Sequence, residues 1–343
     1  MTTIYLVRHG EAEGNAFRRI HGQYDSLLTP MGQRQVQAVR RRFEDIPVDG
    51  CFSSDLTRTS LTARSIYVPK KLPLRRSPAF REVKLGRWED LPFGYLEEFE
   101  PEEMIRFNRD PESWHIEGAE TFAQYTSRFL DGMAEAARLF PGGTIAIFCH
   151  GCVLRGVLAR LFFDGDANRV PYCDNTAVSK LFWDGTAYTY EFLNDNSHLP
   201  EEISTFARQK WWRQGGKRDF NLWFRPLEQL PAGCPSPERD CESYEALLCQ
   251  TPVGILSLRQ GVIEQLFLLP QFEGLDMEDQ LLGQAICRLR GQGYTTVFAR
   301  VQGVCKPEVL IRYGFREEGA LWKASIDTGI FDWSTPPQDR EPE

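Results

Sequence analysis

Short apolar runs alternate with stretches whose apolar residues recur every three or four positions, and this alternation organises residues 1–200. The run Ile4-Tyr5-Leu6-Val7 predicts a strand over residues 2–8, and similar runs predict strands over 48–53, 72–75, 143–150, 177–183 and 187–193. Helical periodicity covers 30–43, 57–67, 119–139 and 153–162, with Thr29 placed as an N-cap and Pro30 at the first helical position. Strands alternating with helices predict an α/β fold with a mainly parallel sheet sandwiched by helices. Residues 82–114, rich in Glu, Pro and aromatic residues such as Trp88, Phe93, Tyr95 and Phe99, break the alternation. This excursion reads either as a lid or binding loop, or as a helical insertion packed on the side of the domain.

Turn formers in Asn194-Asp195-Asn196-Ser197-His198-Leu199-Pro200 close the first pattern. A basic aromatic segment with Lys210, Trp211, Trp212, Arg213 and Lys217 follows, ending in Asn221-Leu222-Trp223-Phe224-Arg225. Such interleaving can stack on nucleic acid, but packing between domains is the preferred reading in so acidic a chain. From about Tyr244 a second α/β pattern begins, with strands expected over 253–258, 262–268 and 296–301 and a helix over 277–290. The expected division is a first domain over 1–200, a linker or packing segment over 201–220, a smaller α/β domain over 221–326 and a disordered Pro-rich, charged tail over 327–343. A length of 343 residues, more than one core usually organises, agrees with two domains.

The net charge of −8 and a pI near 5.4 argue against a nucleic-acid surface or an anchor on an anionic membrane. The start, Met1-Thr2-Thr3, has no basic n-region, and no run approaches the roughly 20 apolar residues of a membrane span. A cytoplasmic protein is expected, and an anionic substrate must be held by a local cationic pocket. Nine cysteines are scattered along the chain. Cys149 and Cys152 match a CxxC by spacing, but no second ligand pair accompanies them, so reduced thiols are expected rather than a metal site.

Such a pocket is readable. Arg8-His9-Gly10-Glu11 follows the first strand, and His150-Gly151 follows the strand over 143–150. The carboxyl ends of strands are where open α/β sheets bind ligands. Arg58 lies just past Ser53-Ser54-Asp55, where another strand turns into a helix. Guanidinium forks suit phosphate oxygens, so two arginines and two histidines at strand ends point to a phosphomonoester.

These residues resemble the histidine phosphatase superfamily, also called phosphoglycerate-mutase-like. The motifs, in order, are Leu6-Val7-Arg8-His9-Gly10-Glu11 with Asn15, Leu28-Thr29-Pro30-Met31-Gly32, Ser53-Ser54-Asp55-Leu56-Thr57-Arg58-Thr59, Arg81-Glu82 with Gly86-Arg87-Trp88-Glu89, and His150-Gly151. The resemblance implies that His9 is the nucleophile, that Arg8, Arg58 and His150 hold the phosphoryl oxygens with Asn15 adding a polar contact, and that Glu82 protonates the leaving alkoxide and then activates water. Glu89 and the acids of Glu97-Glu98-Phe99-Glu100 compete with Glu82 for that role. His21 lies in a loop expected to rim the pocket and contact substrate with Gly151, whereas His115 and His198 read as bystanders. The implied mechanism calls for no metal and no organic cofactor. The expected activity is hydrolysis of a small organic phosphomonoester, with a phosphoglycerate-type mutase as the alternative.

The second pattern resembles GNAT-type N-acyltransferases. The strand over 262–268 runs through Pro270 into Gln271-Phe272-Glu273-Gly274-Leu275-Asp276, where that family has a Q/R-x-x-G-x-G/A loop cradling the coenzyme A pyrophosphate, so Gln271 and Gly274 are candidate contacts for acetyl-CoA. Asp276 stands where Gly or Ala is usual, Leu310 where a tyrosine protonates the leaving thiolate, and Gly303 where an asparagine opens a helix. Two readings stay open: a bifunctional phosphatase and N-acetyltransferase, or a degenerate domain used for sensing, association or shaping the first pocket.

Overall fold

A computed structural model describes residues 1–209, 220–274, 277–300 and 307–329, which form two sheets. The first sheet holds β1 (Thr2–Arg8), β2 (Gly50–Ser53), β3 (Leu74–Arg76), β4 (Thr144–Cys149), β5 (Val178–Trp183) and β6 (Tyr188–Asp195), in the order β3-β2-β4-β1-β5-β6. Its helices are α1 (Glu13–Ala16), α2 (Pro30–Arg42), α3 (Thr57–Tyr67), α4 (Phe93–Phe99), α5 (Pro101–Arg109), α6 (Phe122–Arg138), α7 (Gly151–Phe162) and α8 (Thr205–Gln209). Thr29 caps α2 as expected, accepting from the Gly32 amide at 3.0 Å.

β1, β2, β3 and β4 run parallel, and β5 and β6 are antiparallel additions, so the sheet is mixed. β5 pairs antiparallel with β1, and the short Asp184-Gly185 turn makes β6 antiparallel to β5, since a parallel pair would need a long crossover. β1 and β4, buried on both faces, carry near-continuous apolar runs, and they sit at the centre of the sheet. The excursion over 82–114 is helical: α4 and α5 pack against the core that holds Trp88 and Trp114.

The second sheet orders its strands β12-β13-β11-β10-β9-β8-β7. These are β7 (Leu222–Pro226), β8 (Glu242–Leu248), β9 (Thr251–Arg259), β10 (Val262–Leu268), β11 (Thr296–Ala299), β12 (Arg316–Glu318) and β13 (Leu321–Ser325), with α9 (Met277–Gly291) and α10 (Pro307–Arg312). β10 and β11 are parallel over a short register, Val262 opposite Phe298 and Ile263 opposite Ala299, and the other pairs are antiparallel. β7, β8, β12 and β13 are additions to the strands expected from sequence; in β7 and β8, aromatic and charged residues mask the strand period.

The two units share an interface. Phe17, beside α1, is buried in the core of the second sheet, and its ring lies 4.8 Å from that of Tyr313. Gly283 of α9 faces Phe17 so closely that a Cβ would overlap it. Both oxygens of Glu13 take bonds of 2.9 Å from the two Nη atoms of Arg290. Residues 201–209 fold back on α2, where the Gln35 amide donates to Ile203 O and Thr205 Oγ1 at 2.7 and 2.9 Å. Lys210, Trp211, Trp212, Arg213, Lys217, Asp276, Gly303 and the tail beyond residue 329 lie outside the described residues. Among the described residues, no helix is long and apolar enough to cross a membrane.

Candidate active site

Sheet register brings the two strand-end histidines together. Arg8 pairs with Cys149 across the parallel strands β1 and β4, so His9 and His150 leave adjacent strands side by side. Their ring centroids are 5.2 Å apart. On the other flank of β4, Ser53 pairs with Phe148, and α3 starts a few residues later with Arg58 in its first turn. The turn after β1 needs glycine, since a Cβ on Gly10 would come within 2.9 Å of the Gly32 carbonyl oxygen.

His9 is buried, and its Nδ1 lies 2.7 Å from Gly10 O. That carbonyl can only accept, so Nδ1 carries the proton and Nε2 keeps a lone pair. Burial, then the charges of Arg58 and Arg8, hold the His9 pKa well below 6.5. The same causes in the same direction act on His150, with His9 adding to them. Both rings are therefore neutral at pH 7.

Arg58 donates from Nη1 to Tyr24 O at 2.8 Å and from Nη2 to Gly22 O at 2.6 Å, which uses part of its five-donor fork. Arg8 donates from Nη1 to Cys173 O, while its buried Nε and both ring nitrogens of His150 have no protein partner. Buried polar atoms are rarely left so, and unsatisfied atoms beside two guanidinium groups form an anion cradle. Gly151 keeps it open, because a Cβ there would sit 3.0 Å from Arg8 Nε.

Glu82 lies at the amino end of α7. Its Oε1 accepts from the amides of Val153 at 2.6 Å and Val83 at 3.0 Å, and its Oε2 from that of Cys152 at 2.9 Å. Burial raises its pKa above 4.5 even against these bonds, which pull the other way. A buried carboxyl with its pKa raised keeps its proton to higher pH than a free one, which suits a general acid. Glu89 plays a different part. Its carboxylate accepts from the amides of Gly22, Gln23, Tyr24 and Leu85 at 2.8 to 3.1 Å, and so shapes the loop that Arg58 grips. Glu100 pairs with Arg87, and Glu98 accepts from Gln250.

Arg8, His9, Asn15, His21, Arg58, Glu82 and Gly151 line one cavity of about 400 Å³. Its apolar walls are Ile20, Leu85, Trp88, Phe93, Met104 and Phe107. Asn15 Oδ1 accepts from Asn175 Nδ2 at 3.2 Å, and Asn175 Nδ2 also donates to His9 O at 3.1 Å. His21 Nε2 lies 3.2 Å from Asp90 Oδ1, and burial lowers its pKa although Asp90 opposes the shift. His21, Asp90 and Cys287 bring potential metal donors within 4.8 Å of one another. The Arg19 guanidinium already occupies that carboxylate, with Nε 2.7 Å from Asp90 Oδ1, so the place a cation would take is filled. His115 is exposed, and His198 bonds Arg42 Nη1 at 2.9 Å.

In the second unit, Gln271 and Gly274 are exposed ahead of α9, and the Gly274 amide donates to Glu278 Oε1 at 2.8 Å. Leu310 is buried in the core of that sheet.

The sequence model of the histidine phosphatase superfamily (branch 1) matches residues 4–196, more than half of the chain. The chain belongs to this superfamily. A probable phosphoglycerate mutase, GpmB, of Yersinia pestis (strain Pestoides F) is 30% identical over 205 residues, spanning 58% of this chain and 95% of its own. YhfR of Bacillus stearothermophilus is 28% identical with a TM-score of 0.55, over 58% of this chain and 99% of that one. A mycobacterial glucosyl-3-phosphoglycerate phosphatase shares the fold at 22% identity and a TM-score of 0.53, over 57% and 99% of the two chains. Within this histidine phosphatase domain, sequence reasoning missed Glu89 as the loop organiser and Asn175 as a partner of His9. It also missed Arg128, which donates to the carbonyls of Ala79, Arg81 and Glu82 at 2.8 to 3.2 Å. A carboxylate flanked by a turn-rich segment was the available signal for Glu89. The other two act across more than 40 residues of chain.

Proposed function

We propose that the first domain hydrolyses a small organic phosphomonoester through a phosphohistidine on Nε2 of His9. The observation that carries this reading is the bond between His9 Nδ1 and Gly10 O, 2.7 Å, which fixes the tautomer with the lone pair on the other nitrogen of a cavity-lining ring. In the mechanism, Arg8, Arg58 and His150 hold the non-bridging oxygens while Nε2 attacks in line, with Asn15 near the same group. Charge stabilisation by these side chains supplies most of the catalysis in such sites. Glu82 gives its proton to the departing alkoxide, then takes one from the water that attacks phosphohistidine, and phosphate leaves with His9 neutral again.

Hydrolysis rather than transfer is favoured by the walls. Trp88, Phe93, Met104 and Phe107 suit the apolar body of an organic alcohol. The mutase reading draws on the name of the Yersinia relative. Incubation with 3-phosphoglycerate separates the two, since a phosphatase releases free phosphate and a mutase returns an isomeric ester. The primary test is phosphate release from a panel of phosphorylated metabolites. His9→Ala should abolish turnover while the circular dichroism spectrum stays unchanged, and retained turnover would refute His9 as nucleophile.

For the second unit we infer an N-acyltransferase-like architecture without the acid needed for acyl transfer. What supports it is β10 running through the loop of Gln271 and Gly274 into α9 and returning as the parallel strand β11. Leu310, where a tyrosine would be required, is apolar and buried. Titration calorimetry with acetyl-CoA tests the point: heat of binding would revive a coenzyme site, and no heat agrees with a supporting role.

A further inference from the structure

The cavity lining includes two side chains of opposite charge that the chemistry at phosphorus does not use, Arg18 and Glu97. They come from different walls, Arg18 from the loop after α1 and Glu97 from α4. A residue of the second unit joins them. Asn221 Oδ1 accepts from Arg18 Nε at 2.8 Å, and Asn221 Nδ2 donates to Glu97 Oε1 at 2.6 Å. A primary amide offers an acceptor and donors together, so it can bond a cation and an anion at once where a charged residue could satisfy one of them.

Asn221 is itself held in place. It is 3% exposed, and it immediately precedes β7, the edge strand of the second sheet. The next amide, of Leu222, donates to Gln280 Oε1 at 2.7 Å, and Gln280 Nε2 donates to Phe220 O at 2.7 Å, tying this point to α9. α4 rests directly on the strand: a Cβ on Gly94 would overlap the Asn221 carbonyl, and Phe99 meets Trp223 edge to face at 5.1 Å. Arg18 has a φ of 55°, a left-handed conformation that a non-glycine residue holds only when its surroundings impose it. Its guanidinium lies 4.9 Å from the centroid of the Phe93 ring, another wall of the cavity.

We propose that Asn221 is a positioning residue of the phosphatase pocket, fixing Arg18 and Glu97 at the end that receives the alcohol part of the ester. The second unit then sets recognition of the leaving group, and the first domain alone holds the phosphoryl group. This rests on the phosphomonoesterase reading given above. Arg8, His9, Arg58, Glu82 and His150 make no hydrogen bond to Asn221 among those described.

The test is steady-state kinetics of the full chain with 1-naphthyl phosphate as substrate and inorganic phosphate as competitive inhibitor. Phosphate probes the phosphoryl half alone, and the aryl ester probes both halves. Asn221→Ala should raise KM for 1-naphthyl phosphate about tenfold, the size expected for losing a buried hydrogen bond to a charge, with kcat within about twofold. The inhibition constant of phosphate should not move. Unchanged KM overturns the inference, and so does a phosphate constant that rises in step with KM, because Asn221 would then support the fold in general. If Asn221→Ala does not fold, the near-isosteric Asn221→Asp carries the same test: it keeps the acceptor for Arg18 and sets a carboxylate against Glu97. An unsubstituted chain that releases no phosphate from any ester refutes the phosphatase reading, and this inference with it. An active chain whose KM ignores Asn221 refutes this inference alone.

Discussion

Replacing Glu82 by Gln removes the proposed acid while keeping its shape, and the geometry sets the size of each effect. Oε1 of Glu82 takes two amide hydrogens and Oε2 takes a third. In Gln the oxygen is expected to face Val153 and Val83, leaving an NH₂ group against the Cys152 amide, donor to donor. An orphaned buried donor costs about 1–3 kcal/mol, partly offset because a desolvated carboxyl is gone, so the variant should fold. Loss of general acid catalysis costs about 10²–10⁴-fold, or about 3–5 kcal/mol in the barrier. The discriminating assay compares kcat/KM for β-glycerophosphate and for p-nitrophenyl phosphate. An alkoxide needs a proton as it leaves and nitrophenolate scarcely does, so the drop should be large for the first ester and less than about tenfold for the second. Because kcat/KM ends at the first irreversible step, the later role of Glu82 in activating water does not blur the comparison. Equal losses for the two esters would show that Glu82 holds the site together without passing a proton.

Other consequences can be checked directly. The low pKa values of His9 and His150 put the acidic limb of kcat/KM below pH 6.5, and the raised pKa of Glu82 puts the alkaline limb above 4.5, a limb that should be steep for β-glycerophosphate and shallow for p-nitrophenyl phosphate. For stability, the folded state binds fewer protons at these two histidines than the unfolded chain does. Their contribution is therefore complete above pH 6.5 and lost as pH falls towards their folded pKa values, which urea titrations at neutral and mildly acid pH would detect as a falling midpoint. Arg290→Ala strips the partner from Glu13, whose side chain is 8% exposed, and should cost about 3–5 kcal/mol in urea unfolding. A loss below about 1 kcal/mol would mean that the interface does not depend on this pair. Phosphate release should survive EDTA, since the donors proposed for the phosphoryl group are all protein side chains; inactivation by the chelator, reversed by a divalent cation, would refute that mechanism.

The central architecture was legible because its signals are local. Buried strands such as β1 and β4 announce themselves as apolar runs, and Thr29-Pro30 marks the start of α2 within one turn. The cluster of Arg8, His9, Arg58 and His150 was legible because each of these sits at a strand end or in the first turn of the following helix, so sequence position already implied the shared edge; Glu82, in a loop beyond β3, carried no such local signal. Legibility failed where a residue's meaning depends on a distant neighbour. Asn221 reads as an ordinary polar residue before a strand, and its bond to Arg18 spans 203 positions. The antiparallel turn of β5 and β6 was present in Asp184-Gly185 but was outweighed by the preceding alternation. In the second unit, β7 and β8 combine aromatic and charged residues because they pair near an edge, which hides the strand period.

Phe17 ties the histories of the two halves together. A side chain that belongs by sequence to the histidine phosphatase superfamily domain is part of the hydrophobic interior of its neighbour. Cutting the chain after residue 209 would therefore wet Phe17 and strand Glu13 and Arg19 without their partners on α9. An excised first domain would need a resurfaced patch at these positions before it could stay in solution by itself.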